Sequence, residues 1–200
     1  MSQAVILAAK RTPIGRFMGG LSKTPAPILG SYAIKAVLDE VPAAKTQVDE
    51  CIMGCVLQAG LGQNPARQAG LKAGLPTTLN AQTVNKVCGS GLQSVILAAQ
   101  SIKAGDNQLV IAGGFENMSL APHLEYLRTG VKFGDVKKID HMQMDGLWCA
   151  FENWGMGNAA EHIARKFNIS REEQDRFSAQ SHQRAAKAWK DCNFKAETVP

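Results

Sequence analysis

The stretch NKVCGSGLQSVILAAQ, residues 85–100, places one cysteine between a polar dipeptide and a Gly-Ser-Gly turn, with an apolar run behind it. That order suits covalent chemistry. Cys88 falls where a strand pattern ends and a helix pattern begins, and the free N–H groups and positive dipole end of a helix favour a thiolate. Gly89 and Gly91 remove side chains beside the sulfur, so a substrate carbonyl can approach the backbone. The backbone N–H of Cys88 itself would donate to a developing oxyanion. The competing reading is an inert cysteine that fills space, since free cysteine is among the most buried residue types. On the residues alone both readings stay open.

The other chemistry-bearing residues are less suggestive. Cys51 and Cys55 stand four apart on one face of a strand pattern, too far apart for a disulfide between neighbours, and read as core. Of the four histidines, His162 and His182 lie on helical patterns and read as surface residues. His123 follows Pro122 and reads as a packed structural histidine. None has a metal partner at usable spacing, so no metal site is expected. The segment AGGFEN, 112–117, lacks the spacing of a dinucleotide turn. Its Gly113 and Gly114 would let the chain pass close to the Cys88 turn, with Glu116 and Asn117 supporting that turn.

Positioning such a turn requires a layered scaffold. AVILAA (4–9), ECIMGCV (50–56), LNAQTVN (79–85) and NQLVIAGG (107–114) read as strands. Ile34, Val37, Leu38 and Val41 mark one intervening helix. NPARQAGLKAG predicts a second, with Asn64 as cap, Pro65 at its first position and Gly74 as the stop. The third runs from Cys88 to Lys103, carries no charge before Lys103, and is expected to be buried nearly all round. Alternation of this kind predicts an α/β layered fold.

After residue 118 the texture changes to prolines, glycines and no sustained period, a functional excursion rather than an ordinary connection. Helices return with Ala160, Ile163, Ala164 and Phe167 on one face, and then with the capping box SREE, Ser170 to Glu173, opening a helix through about Trp189. The boundary is therefore drawn between segments 1–118 and 119–200.

Composition narrows the function classes. With 200 residues, 45% hydrophobic and 20% charged, the chain suits one substantial core, or one core plus an appended subdomain. A net charge of +5 with few aromatics argues for no nucleic-acid partner. The charges follow rather than precede the first apolar run, and no segment has transmembrane length, so neither export nor a membrane is expected. Five scattered cysteines then imply reduced thiols and a cytoplasmic location.

NKVCGSGLQSVILAAQSI closely resembles the nucleophile signature of the thiolase family, and AGGFENMSLAPH resembles the segment that follows it there. LQAGLGQNPARQAGLKAGLP, LRTGVKFGDVKKIDHMQMDGL and MGNAAEHIARKFNISREEQDRFSAQSHQRAA also resemble thiolases, in the acetyl-CoA acetyltransferase branch. The resemblance runs in order from about Ala4 to Pro200. It implies a thiolase-like α/β layered fold, the N-terminal strand-helix half of the core at 1–118 and most of a CoA-covering loop domain at 119–200. By the same resemblance Cys88 is the nucleophile and acyl carrier, exchanging acetyl groups among acetyl-CoA, acetoacetyl-CoA and CoA in a ping-pong Claisen condensation. Leu147 and Met156 match positions lining the pantetheine passage. No metal or redox cofactor is implied, since the CoA thioester is the substrate, and a homodimer or homotetramer is expected.

Departures from the family pattern are also expected to matter. Gly155 stands where related enzymes often have a histidine, which removes a polar contact to CoA. Trp148 and Trp154 make 146–154 bulky, either narrowing the acyl passage or packing the loop. Arg128, Lys132, Lys137 and Lys138 either add positive potential near CoA phosphates or form a solvated loop. The family's activating histidine and second cysteine belong to a C-terminal half whose motifs do not occur here. That half is expected in the same polypeptide or a partner chain, and this chain alone is expected to be an inactive fragment or split subunit. A degradative thiolase for longer 3-ketoacyl chains is the related alternative, although PHLEYLRTGVKFGD favours the short-chain branch.

Overall fold

The computed structural model describes residues 3–199; Met1, Ser2 and Pro200, which end the two segments drawn from the sequence, lie outside the described residues. Its chain order is α1 (Ala26–Glu40), α2 (Ala44–Gln47), β1 (Glu50–Gly54), α3 (Pro65–Lys72), β2 (Asn80–Val84), α4 (Ser90–Ala104), β3 (Val110–Gly114), β4 (His123–Leu124), β5 (Ile139–Asp140), α5 (Met156–Lys166) and α6 (Arg171–Lys190). The α/β layering expected from the sequence is present. β1 is central, with β2 and β3 parallel on either side; Gly54 pairs with Val84 and with Gly114.

The period of two along β1 decides which helix meets which face. Cys51, Met53 and Cys55 enter a core with Ile34, Leu38, Ala66, Ala69 and Leu79, under α1 and α3. Ile52, also buried, points to the other face, where α4 packs. α3 begins as its sequence dictates: Asn64 accepts from the Arg67 N–H through Oδ1 at 3.2 Å, and Pro65 follows. Asp49 Oδ2 takes the N–H groups of Leu109 and Gln108, which holds its carboxyl below the usual range and fixes the entry of β3 beside β1.

Two expectations are corrected. Residues 4–9 belong to no strand, and Val5, Ile6 and Leu7 are exposed. Their β propensity is real, but a strand also needs a ladder partner, and none of the described strands pairs with them. α4 is not buried all round and starts at Ser90, leaving Cys88 in the turn before it. Ser90, Ser94 and Ala98, spaced by four, form its buried stripe, whereas Leu92, Val95 and Ile96 are exposed, Leu92 at 68%.

The narrow stripe answers a close approach. A Cβ built on Gly54 would lie 2.4 Å from Ser90 C and 2.5 Å from Gly91 N. One built on Gly114 would lie 3.2 Å from Gly91 Cα. Ser94 Oγ, fully buried, donates to Gly113 O at 2.7 Å and locks the helix to β3. Gly113 and Gly114 thus do bring β3 against the start of α4, as the sequence suggested.

The chain divides into two compact units. The first ends at Gly146 and takes back Val199, whose N–H donates to Arg11 O at 2.9 Å; the second is Leu147–Thr198. The change of texture at 118/119 and the division by compactness therefore fall at different places. In the first unit, β4 and β5 form an antiparallel pair joined by the exposed loop 125–138. The second unit holds α5 and α6, the latter with both halves of the Ser170–Glu173 capping box formed.

The glycine at 54 is required by packing against backbone, which cannot yield as a flexible side chain would. Gly54→Ala is expected to lower stability by about 1–3 kcal/mol, the usual range for overpacking, seen as a reduced midpoint in urea unfolding.

Candidate active site

β2 ends at Val84 and α4 begins at Ser90, so five residues reverse the chain. Asn85 Oδ1 accepts from the Val87 N–H at 2.9 Å, and the Gly89 N–H donates to Lys86 O at 3.0 Å. Ser90 Oγ accepts from the Lys86 N–H at 2.8 Å and donates to Val87 O at 2.6 Å. Val87 takes φ +48°, a left-handed conformation that costs a β-branched residue about 1–3 kcal/mol. Next to it, Cys88 is exposed. Lys86 Nζ donates to Gln93 Oε1 at 2.8 Å, tying the turn to the first turns of the helix.

The five thiols fall into contrasting settings. Cys51 and Cys55 are core residues, as expected; burial pushes both up to about 12, with Glu50 and Glu116 respectively adding repulsion. Cys88 and Cys192 are exposed, and Cys149 is half-buried. A thiol at the Cys88 position is open to a reactant and precedes the positive end of α4. Covalent chemistry there needs no rearrangement of the core.

Leu147 and Met156 lie in the second unit, the one ending the π-helical turn Met142–Leu147, the other opening α5. An antiparallel bridge between Trp148 and Gly155 sets them opposite each other on adjoining segments, both exposed. The Trp148 indole N–H donates to Asn153 Oδ1 at 3.0 Å, and its ring lies over Gly155. Trp154 packs on His162 with ring centroids 5.5 Å apart. Both tryptophans therefore have packing partners inside their own hairpin and helix. Arg128, Lys132, Lys137 and Lys138 are exposed in the 125–138 loop.

Glu116 and Asn117 hold other segments than the sequence suggested. Glu116 accepts from the Val56 and Leu57 N–H groups at 2.8 and 3.2 Å, pinning the chain as it leaves β1. Asn117 Nδ2 donates to the carbonyls of Leu21, Ser22 and Thr24. His123, expected to be packed, is exposed. The buried histidine is His141: its Nδ1 meets Asp145 Oδ2, and its Nε2 accepts from the Ala59 N–H at 3.4 Å. The spacing of four between His141 and Asp145 was the available signal, legible only once a helical turn is placed there. A cavity of about 450 Å³ opens between residues 10–22 and 114–119; Cys88, Leu147 and Met156 are not among its lining residues.

An α/β layered domain that presents a cysteine on a sharp strand-to-helix turn is the class defined by this geometry. The model of the thiolase N-terminal domain matches residues 4–200, and the chain belongs to the thiolase family. It is 51% identical to the acetyl-CoA acetyltransferase of Cupriavidus necator over 100% of its own length and 51% of that protein's. Against that of Escherichia coli K12 the identity is also 51%, over 100% of the chain and 51% of the relative. The cytosolic acetyl-CoA acetyltransferase of Rattus norvegicus is 50% identical, over 98% and 49%. The chain thus spans about half the length of the curated relatives it matches.

The buried thiols carry a pH signature. In the unfolded chain Cys51 and Cys55 ionise near their ordinary value of 9.0, but in the fold only near about 12. The unfolded state therefore binds fewer protons between these values, and their contribution to stability, intact below about pH 9, is lost as pH rises toward 12. Denaturant midpoints are expected to fall over that window, and less steeply in Cys51→Ala, Cys55→Ala. At neutral pH, iodoacetamide should modify Cys88 and Cys192 in the native protein and reach Cys51 and Cys55 only on unfolding.

Proposed function

We propose that this chain is the nucleophile-bearing half of an acetyl-CoA C-acetyltransferase, with Cys88 as its acyl carrier. The observation that carries the reading is the exposed thiol on the turn before α4, in a chain matched along its whole length by acetyl-CoA acetyltransferases. The Cys88 thiolate attacks the thioester carbonyl of acetyl-CoA, the bond from that carbon to the CoA sulfur breaks, and CoA leaves as a thiolate that takes up a proton. The backbone N–H of Cys88 donates to the oxyanion that develops. A second acetyl-CoA then loses a methyl proton to a base, its carbanion attacks the Cys88-bound acetyl carbon, and acetoacetyl-CoA forms as the Cys88 sulfur departs. Thiolysis is the reverse. Leu147 and Met156 flank the pantetheine arm, and CoA thioesters are substrates in chemistry that calls for no metal or redox cofactor.

The histidine and second cysteine that activate Cys88 and move the proton come from a C-terminal half, in the same polypeptide or a partner chain. The apolar residues exposed on α4 and at 5–7, in a chain half as long as its relatives, support a missing cover of that kind. The assembled enzyme is a homodimer or homotetramer of the cytoplasm. A cytosolic rat relative supports that location, and among the described residues no helix is long and apolar enough to cross a membrane.

In the full-length protein, Cys88→Ser should abolish acetylation of the peptide around residue 88 and lower turnover about 10⁴- to 10⁶-fold, as removal of a nucleophile does elsewhere. An acetyl group retained on the enzyme at any residue other than 88 after that substitution would place the nucleophile elsewhere. The 200-residue chain alone should show negligible thiolysis of acetoacetyl-CoA; full turnover by that chain would overturn the two-half reading.

A further inference from the structure

The residue before Cys88 bears a conformation that its own side chain disfavours, and one buried hydroxyl spans it. Val87 stands at φ +48° although nothing in its chemistry favours a positive φ. Ser90 is 4% exposed and spends both capacities of its hydroxyl here, accepting from Lys86 N–H and donating to Val87 O. Asn85 Oδ1 holds the Val87 N–H from the other side. Behind Ser90 the backbone of Gly54 presses close, with no intervening side chain to absorb a shift. Ser90 is thus seated against β1 through its backbone and Cβ, and its hydroxyl carries that seating to Val87.

We propose that Ser90 is a positioning residue for Cys88: by holding Val87 in the left-handed conformation it sets the direction of the Cys88 thiol toward a bound thioester. This rests on the acyl-carrier reading of Cys88. Without the hydroxyl, Val87 relaxes to negative φ and turns the adjoining Cys88 away, while the thiol stays exposed. Glycine at 87 takes positive φ without steric cost, so it should keep the turn when Ser90 can no longer enforce it.

The test uses the full-length protein, with single-turnover acetylation of Cys88 by acetyl-CoA and, separately, alkylation by iodoacetamide, a small reagent with little demand on direction. Ser90→Ala should slow acetylation about 10- to 100-fold, the scale of a misplacement near 1 Å, and leave alkylation within about threefold. Adding Val87→Gly to Ser90→Ala should recover most of the acetylation rate. If Ser90→Ala fails to fold, as newly reactive Cys51 and Cys55 would reveal, Asn85→Ala removes the side-chain hold on the Val87 N–H and is read in the same way, with the same rescue. Acetylation at the wild-type rate in these variants overturns the proposal. So does a parallel loss of acetylation and alkylation that Val87→Gly does not restore, which is the mark of a merely structural role. If the wild-type protein takes no acetyl group at Cys88, the acyl-carrier reading fails first and this proposal falls with it.

Discussion

Three backbone segments meet with no side chains between them: the end of β1 at Gly54, the end of β3 at Gly114, and the first turn of α4 at Ser90 and Gly91. That contact sets the distance from helix to sheet, and much else follows. It explains why the buried stripe of α4 is Ser90, Ser94 and Ala98 rather than its larger apolar residues. It also explains why two of those positions are serines. At such a short separation the Ser94 hydroxyl reaches Gly113 O on β3, while that of Ser90 bonds Val87 O within the preceding turn. The turn bearing Cys88 is therefore referenced to the sheet rather than to a mobile loop.

Polar side chains then do for the connections what ladders do for the strands. Glu116, Asn117, Asp49 and His141 each take backbone groups from segments far away in sequence. Among the described residues no buried side-chain nitrogen or oxygen lacks a partner. A half-buried carboxylate or amide with several backbone partners is a more directional fastener than an apolar contact. The loops around the sheet can thus be irregular and still hold one arrangement.

Short-range features were legible in the sequence because their causes are local. Asn64-Pro65 and Ser170–Glu173 carry their own capping chemistry, and the stripe through Ile34 and Leu38 declares its buried face. Cys88 was legible as the cysteine of a strand-to-helix turn, a placement the structure reproduces. What was not legible depends on partners distant in sequence. AVILAA has strand composition but gains no ladder, and the apolar run of α4 cannot say how much of it another element covers. Glu116 reaches Val56 and Leu57 across 60 and 59 residues, and His141 reaches Ala59 across 82. No periodicity encodes such pairings. Nor does composition reveal that a valine would sit at φ +48° beside the thiol.

The parallel sheet also imposes an order in time. β1 pairs with β2 thirty residues later but with β3 only sixty residues later, so the sheet cannot close until the chain has been made through Gly114. Until Gly113 arrives, Ser94 Oγ has only Gly91 O of its own helix to grip and nothing on the sheet. During synthesis, Cys88 therefore emerges before the scaffold that shapes its turn, as an ordinary thiol on an unfinished chain. The hydrogen bonds of its turn are local, but its docking against β3 is set by residues made 25 and 26 positions after it.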